Sequence, residues 1–152
     1  LQQSSAASDV YKRQSLPTVE GAVNDILAQI VDFSVVFSMN GKDIDTHIVY
    51  DDDRVWSLEL SSGMERFISS LAIRIGLMNV SNLPQGNFLA IDEGWGTMDS
   101  DNLNSVAQLF QYLKSQFQFT FVVSHIETMR DFVDTLLEIK KIDGSSSVRF
   151  SR

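Results

Sequence analysis

Two carboxylates stand together where an apolar run ends: Phe88-Leu89-Ala90-Ile91 is followed directly by Asp92-Glu93. Adjacent acids repel, and apolar surroundings disfavour their charge, so closing a buried strand this way calls for a cation or a reacting group to offset it. A metal-bound nucleotide would do so, with Asp92 helping to hold Mg²⁺ and Glu93 orienting an attacking water or taking its proton. The same pair could instead cap the turn into Gly94, and alone it discriminates only in part. His125 follows the next apolar run, Phe119 to Val123, after Ser124. If the two runs are parallel neighbouring strands, its ring N–H falls beside the acids and can stabilise charge on a terminal phosphate. Alone, it would read as a capping or core residue; matched to an upstream acid pair, it reads as part of a site.

A further site candidate precedes these. Leu60-Ser61-Ser62-Gly63-Met64-Glu65-Arg66 leads into an amphipathic segment, so Ser62 and Gly63 stand at a helix N-terminus, where backbone N–H groups and the dipole favour an anion such as phosphate. Ser62 with Glu65 three residues on is also a capping box, and the two readings are compatible. Other conspicuous residues have plainer explanations. Trp95, between two glycines, reads as a plug packing its loop onto the domain rather than a platform for a base. Asp51-Asp52-Asp53 reads as a solvated turn, His47 as a surface residue, and Lys140-Lys141 with Arg149 and Arg152 as a solvated strand face.

The elements that must position these groups are legible from apolar periodicity. Val19, Val23, Ile26, Leu27 and Ile30 recur at helical spacing behind Thr18, a suitable cap, so a helix is expected from Thr18 to about Val31. Phe33–Met39, Thr46–Tyr50 and Val55–Leu60 then read as an antiparallel meander turned at Asn40-Gly41 and at the Asp triplet. A helix follows from Gly63 to near Asn79, with Phe67, Ile68, Leu71, Ala72, Ile75 and Met78 on one face. Phe88–Ile91 and Phe119–Val123 are short enough for buried parallel strands, joined by a helix through Leu103, Val106, Phe110 and Leu113 that starts at Asp99-Ser100. Glu127–Asp134 reads as a short helix, and Leu136–Ile142 with Ser147–Phe150 as a hairpin around Asp143-Gly144. The sum is an α/β lobe whose ligands meet the carboxyl ends of parallel strands.

At this point the residues resemble a known family. Ser62-Gly63-Met64-Glu65, followed by Phe67 and Ser70-Leu71-Ala72, is similar to the signature motif and helix of ABC-type ATPases. Phe88 to Glu93 resembles their Walker B strand, Gly94-Trp95-Gly96-Thr97-Met98-Asp99 their D-loop region, and Val122 to Glu127 their switch-histidine loop, all in the family's order. The phrase DEGWGTMD resembles the DEGFGTLD of SbcC/Rad50-type DNA-repair ATPases and lacks the proline of transporter heads. The resemblance covers roughly Ser61 to Lys141 and, more loosely, reaches back to Leu16. It implies the C-terminal lobe of an ABC/P-loop NTPase head, with parallel core strands flanked by helices and an antiparallel meander. It also implies ATP and Mg²⁺ as cofactors: Asp92 on the metal, Glu93 and His125 catalytic, and Ser62, Gly63 and Asp99 contacting ATP across a dimer of heads. The implied partners are a second head, a nuclease resembling Mre11/SbcD, and DNA; the implied role is ATP-driven head dimerisation gating nuclease access to DNA breaks. A structural SMC-like tethering head and a transporter nucleotide-binding domain are the alternatives.

The sequence departs from the family in two ways. Met64 stands where a second signature glycine is usual, and the tandem Ser61-Ser62 makes the register a choice, taken here at Ser62 for its spacing to Ser70-Leu71. None of the eight glycines belongs to a Gly-x-x-x-x-Gly-Lys-Ser/Thr loop, so these residues alone cannot build a complete ATP site and are expected to be inactive alone. Without the lobe that carries that loop, some apolar sheet surface should lie open.

Length and composition agree. A chain of 152 residues, 43% apolar, can bury one core, and a net charge of -8 excludes a surface that is basic throughout and binds DNA everywhere. There are no cysteines, no run long enough to span a bilayer and no secretory leader, so a cytoplasmic protein, or a nuclear one in a eukaryote, is expected. Leu1–Gln14, rich in Gln, Ser and Ala, resembles translated adapter sequence and is expected to be a non-native or disordered leader, with the lobe occupying residues 15–152.

Overall fold

The computed structural model describes residues 2–51, 54–82, 84, 86–92, 95 and 102–151, with side chains from Gln14 onward. Helix α1 runs Gln2–Leu27, starting before the expected Thr18 and ending before Val31. Pro17 lies inside it, so Thr18 caps nothing; the chain leaves the helix through a turn at residues 28–30. Strands β1 (Phe33–Asn40), β2 (Asp43–Tyr50) and β3 (Val55–Ser57) form the antiparallel meander in the order β1-β2-β3. Gly41, at φ 63, takes the first central position of the two-residue β1–β2 turn, which L side chains rarely adopt. Strand β3 is shorter than expected because Leu58–Leu60 coils into a 3-10 turn that delivers the chain to the next helix. His47 is half-buried in the central strand, paired with Val36 on one side and Ser57 on the other, rather than lying openly on the surface.

As an edge strand, β1 would leave backbone groups open, and α1 occupies that edge. The Asn24 amide donates to the Val35 carbonyl (2.9 Å) and its oxygen accepts the Val35 N–H (2.8 Å), while Glu20 accepts the Phe37 N–H at 2.7 Å. These side chains imitate a missing strand.

Helix α2 (Gly63–Val80) buries Met64, Ile68, Leu71, Ala72 and Ile75 against the rest of the core. It crosses α1 so closely that a Cβ on Gly76 would lie 2.7 Å from Val23 Cγ2. Strands β4 (Phe88–Asp92) and β5 (Phe119–Val123) pair in parallel, Phe88 opposite Phe119 and Asp92 opposite Val123, with α3 (Leu103–Gln116) between them in sequence. A 3-10 segment, Glu127–Phe132, and the hairpin of β6 (Leu136–Ile142) and β7 (Ser145–Ser151) complete the described chain. Asp143 (φ 50) and Gly144 (φ 82) both take positive φ, as a type I′ turn requires.

The parallel strands are not buried on both faces, as their continuous apolar runs suggested. Leu89, Ile91, Thr120 and Val122 face inward, but Phe88 (64% exposed), Phe119 (59%), Phe121 and Val123 lie open on the other face. The hairpin likewise exposes Ile139, Val148 and Phe150, the first two paired across the strands. Apolar surface therefore lies open on both the parallel pair and the hairpin. Among the described residues no helix is long and apolar enough to cross a membrane.

Candidate functional site

The parallel register brings Asp92 and His125 to one end of the sheet. Asp92 is the last residue of β4, paired with Val123, and His125 comes two residues after that partner; both are exposed. The segment leaving β5 is shaped by Ser124, whose hydroxyl accepts the Ile126 N–H at 3.1 Å. Glu93 and Asp99 lie outside the described residues, as does the Asp99-Ser100 start expected for α3. Among the described residues no group of three or more acidic, histidine or cysteine side chains forms a metal cage.

Ser62 is the N-cap of α2. Its hydroxyl accepts the Glu65 N–H at 3.2 Å, and Glu65 Oε2 accepts the Ser62 N–H at 2.6 Å, a complete capping box. The box satisfies the outer donors of the first turn and leaves the Gly63 and Met64 amides without a protein acceptor among the described residues. Those amides, with the helix dipole behind them, are equipped to take an anion. Met64, the departure from the usual glycine, is 3% exposed with its side chain in the core, so its bulk does not stand over the amides.

A partner of this helix end that sequence spacing did not reveal is Tyr50, at the end of β2. Its hydroxyl donates a hydrogen bond to Glu65 Oε1, and Arg54 lies over its ring, 4.9 Å from the centroid. Burial first, then the bond to Glu65 and the charges of Glu65 and Asp32, push the Tyr50 hydroxyl up to about 12, against Arg54. Burial raises the Glu65 carboxyl, but the hydrogen bonds from Tyr50 and Ser62 outweigh it and hold Glu65 below the ordinary carboxylate range. No local pattern marks Tyr50, because the contact joins a strand end to a helix start across a tertiary interface. Ser62, Glu65, Tyr50 and Asp32 line a small cleft whose opposite wall is Asn102 and Ser105, at the start of α3. Neither Asp92 nor His125 is among the residues that line that cleft.

Trp95 is the plug its setting suggested, 1% exposed and packed in the core, which excludes it as an open platform for a base. At the other end of the chain, Glu138 sits between Lys140 (3.1 Å) and Arg130 (3.0 Å), which together hold its carboxyl low. Lys140 is therefore engaged within its own hairpin.

No family model matches the chain. It is 34% identical over 149 residues to the uncharacterized protein R555 of Acanthamoeba polyphaga mimivirus, covering 88% of this chain and 11% of that protein. It is 30% identical over 123 residues to SbcC of the nuclease SbcCD from Staphylococcus aureus, covering 78% of this chain and 12% of SbcC. The chain thus spans about a tenth of the length of these relatives. Among solved structures, it superposes with a TM-score of 0.74 and 18% identity on a chain from work on ATP-driven dimerization and DNA-stimulated activation of SMC ATPases, covering 95% of this chain and 89% of that one. The mixed fold, the order of motifs and these relatives agree: the chain belongs to the SbcC/SMC-like ABC ATPase heads, of which it is the C-terminal lobe.

Proposed function

We propose that the chain supplies, in its parent protein, half of an ATP-hydrolysing site, with residues 15–152 forming the lobe and the phosphate-binding loop lying on another. The observation that carries this reading is the pair of open amides at Gly63 and Met64, held in place by the Ser62–Glu65 box. Asp92 and His125 at the carboxyl edge of the β4–β5 pair support it. Asp92 would hold Mg²⁺, which when bound offsets phosphate charge. Glu93 would orient the attacking water and accept its proton, and His125 would donate a hydrogen bond to the terminal phosphate. In this reading Asp92, Glu93 and His125 act on the nucleotide of their own head. Ser62, Gly63 and Asp99 act on the nucleotide of a second head.

ATP would then join two heads, and its hydrolysis would remove the bridging contacts and let them part. In a parent resembling SbcC, that opening gates a Mre11/SbcD-like nuclease at DNA breaks. The open β4–β5 face, with Phe88, Phe119 and Phe121, would meet the remaining lobe. A structural DNA-tethering head is the second reading, favoured by the SMC likeness in fold. The deciding experiment restores the phosphate-binding lobe, by fusion or in trans, and compares wild type with Glu93→Gln and Ser62→Arg. Turnover that requires the added lobe and vanishes in both variants supports the composite site. Nucleotide binding without turnover supports the tethering head; neither binding nor turnover refutes both.

A further inference from the structure

Trp95 lies three residues beyond Asp92 and is 1% exposed, yet its indole N–H finds no acceptor among the described residues. What the wide ring does is reach in two directions. Its centroid is 4.6 Å from Phe67, tilted by 57°, in the second turn of α2. On its other side it lies 5.4 Å from Phe110 of α3, nearly parallel at 24°, and Phe110 stacks in turn on Phe132 at 5.8 Å and 14°. Phe132 ends the 3-10 segment that begins two residues after His125. A continuous row of rings therefore runs from the helix whose N-terminus carries Ser62 and Gly63, through the segment following Asp92, to the segment following His125.

We propose that Trp95 is a positioning residue that couples the α2 N-terminus to the segments leaving β4 and β5. Ring contacts at these spacings are directional, so a rotation of α2 is transmitted to Trp95 and through Phe110 to Phe132. Tightly packed interiors favour discrete arrangements over gradual deformation, so the phosphate-facing features move together. The catalytic meaning of this coupling rests on the ATPase reading above; the mechanical coupling itself does not.

Two measurements test it. In the full chain carrying Trp56→Phe, Trp95 is the sole tryptophan, and acrylamide quenching reports its protection. Phe132→Leu changes the far end of the row, beyond Phe110, and is expected to raise the quenching of Trp95 at an unchanged urea midpoint. Phe119→Leu, on the open sheet face, is expected to leave it unchanged. Equal protection of Trp95 in the Phe132→Leu and Phe132 chains overturns the coupling. In the parent with both lobes, Trp95→Leu, which keeps an apolar side chain without the ring, is expected to lower kcat about tenfold or more, ~1.4 kcal/mol of barrier, at an unchanged KM for ATP. Trp95→Phe should restore most of the rate. A Trp95→Leu enzyme with normal kcat, or a Trp95→Phe enzyme as slow as Trp95→Leu, refutes the assignment. If the wild-type parent shows no turnover, the ATPase reading fails, and quenching still decides the coupling.

Discussion

Gly76→Ala probes the contact that fixes the signature-like helix against α1. In an open helix the change would stabilise, since alanine exceeds glycine by about 1 kcal/mol in helix propensity. Here the added Cβ would sit 2.7 Å from Val23 Cγ2, 3.3 Å from Val23 N and 3.4 Å from its Cα. The first distance is roughly 0.8 Å short of an ordinary carbon–carbon contact. Val23 cannot swing aside: it is fully buried, and a β-branched residue in a helix is confined to essentially one rotamer. Its backbone atoms stand close behind, so the helices must part, and overpacking of this kind costs about 1–3 kcal/mol. After the propensity gain, a net loss of about 1 kcal/mol, the middle of a range of about 0–2, is expected. Urea unfolding of wild type, Gly76→Ala, Val23→Ala and the double variant measures it. Val23→Ala vacates the space the new methyl needs, so the double variant should be no less stable than Val23→Ala alone. A Gly76→Ala chain as stable as wild type, or penalties that simply add, would refute the close-crossing explanation.

Tyr50→Phe should change the alkaline limb of stability. The folded protein holds the Tyr50 proton more tightly than the unfolded chain, so this contribution is complete below pH 10 and is lost as pH rises toward about 12. The variant should lose that fall, seen in urea midpoints across the range. Glu65 has the opposite sense: its lowered value gives stability above the ordinary carboxylate range that disappears as pH falls, and Glu65→Gln should flatten the acid limb. Ser69→Ala should stabilise the chain by about 1 kcal/mol in urea unfolding, because the Ser69 hydroxyl is fully buried without a hydrogen-bond partner among the described residues. Gly144→Ala should loosen the β6–β7 hairpin by about 1–2 kcal/mol, since φ 82 is strained for any Cβ, and hydrogen exchange at residues 140–147 would report it.

Much of the scaffold was legible in the sequence because its signals are local. The Ser62–Glu65 spacing identifies a helix start, Asp143-Gly144 a hairpin turn, and the apolar runs ending at Asp92 and Val123 a pair of strands. Helix–loop boundaries were less secure: helical backbone runs through Pro17 from Gln2, where local chemistry pointed to a start at Thr18. His47 and the 3-10 turn at Leu58–Leu60 also depended on surroundings that a period of two does not encode.

By itself, then, the sequence singled out candidate groups for chemistry, Ser62, Gly63, Asp92 and His125 among them, and it contains no Gly-x-x-x-x-Gly-Lys-Ser/Thr loop. Only the tertiary structure decided that Asp92 and His125 share an end of the β4–β5 pair. It also decided that Met64 turns inward, that Tyr50 grips Glu65, that α1 shields the β1 edge, and that one face of the parallel pair is open. Residue spacing records contacts made within one element, a turn or two apart. The direction of a side chain across an interface, and what covers a sheet face, depend on how separate elements pack.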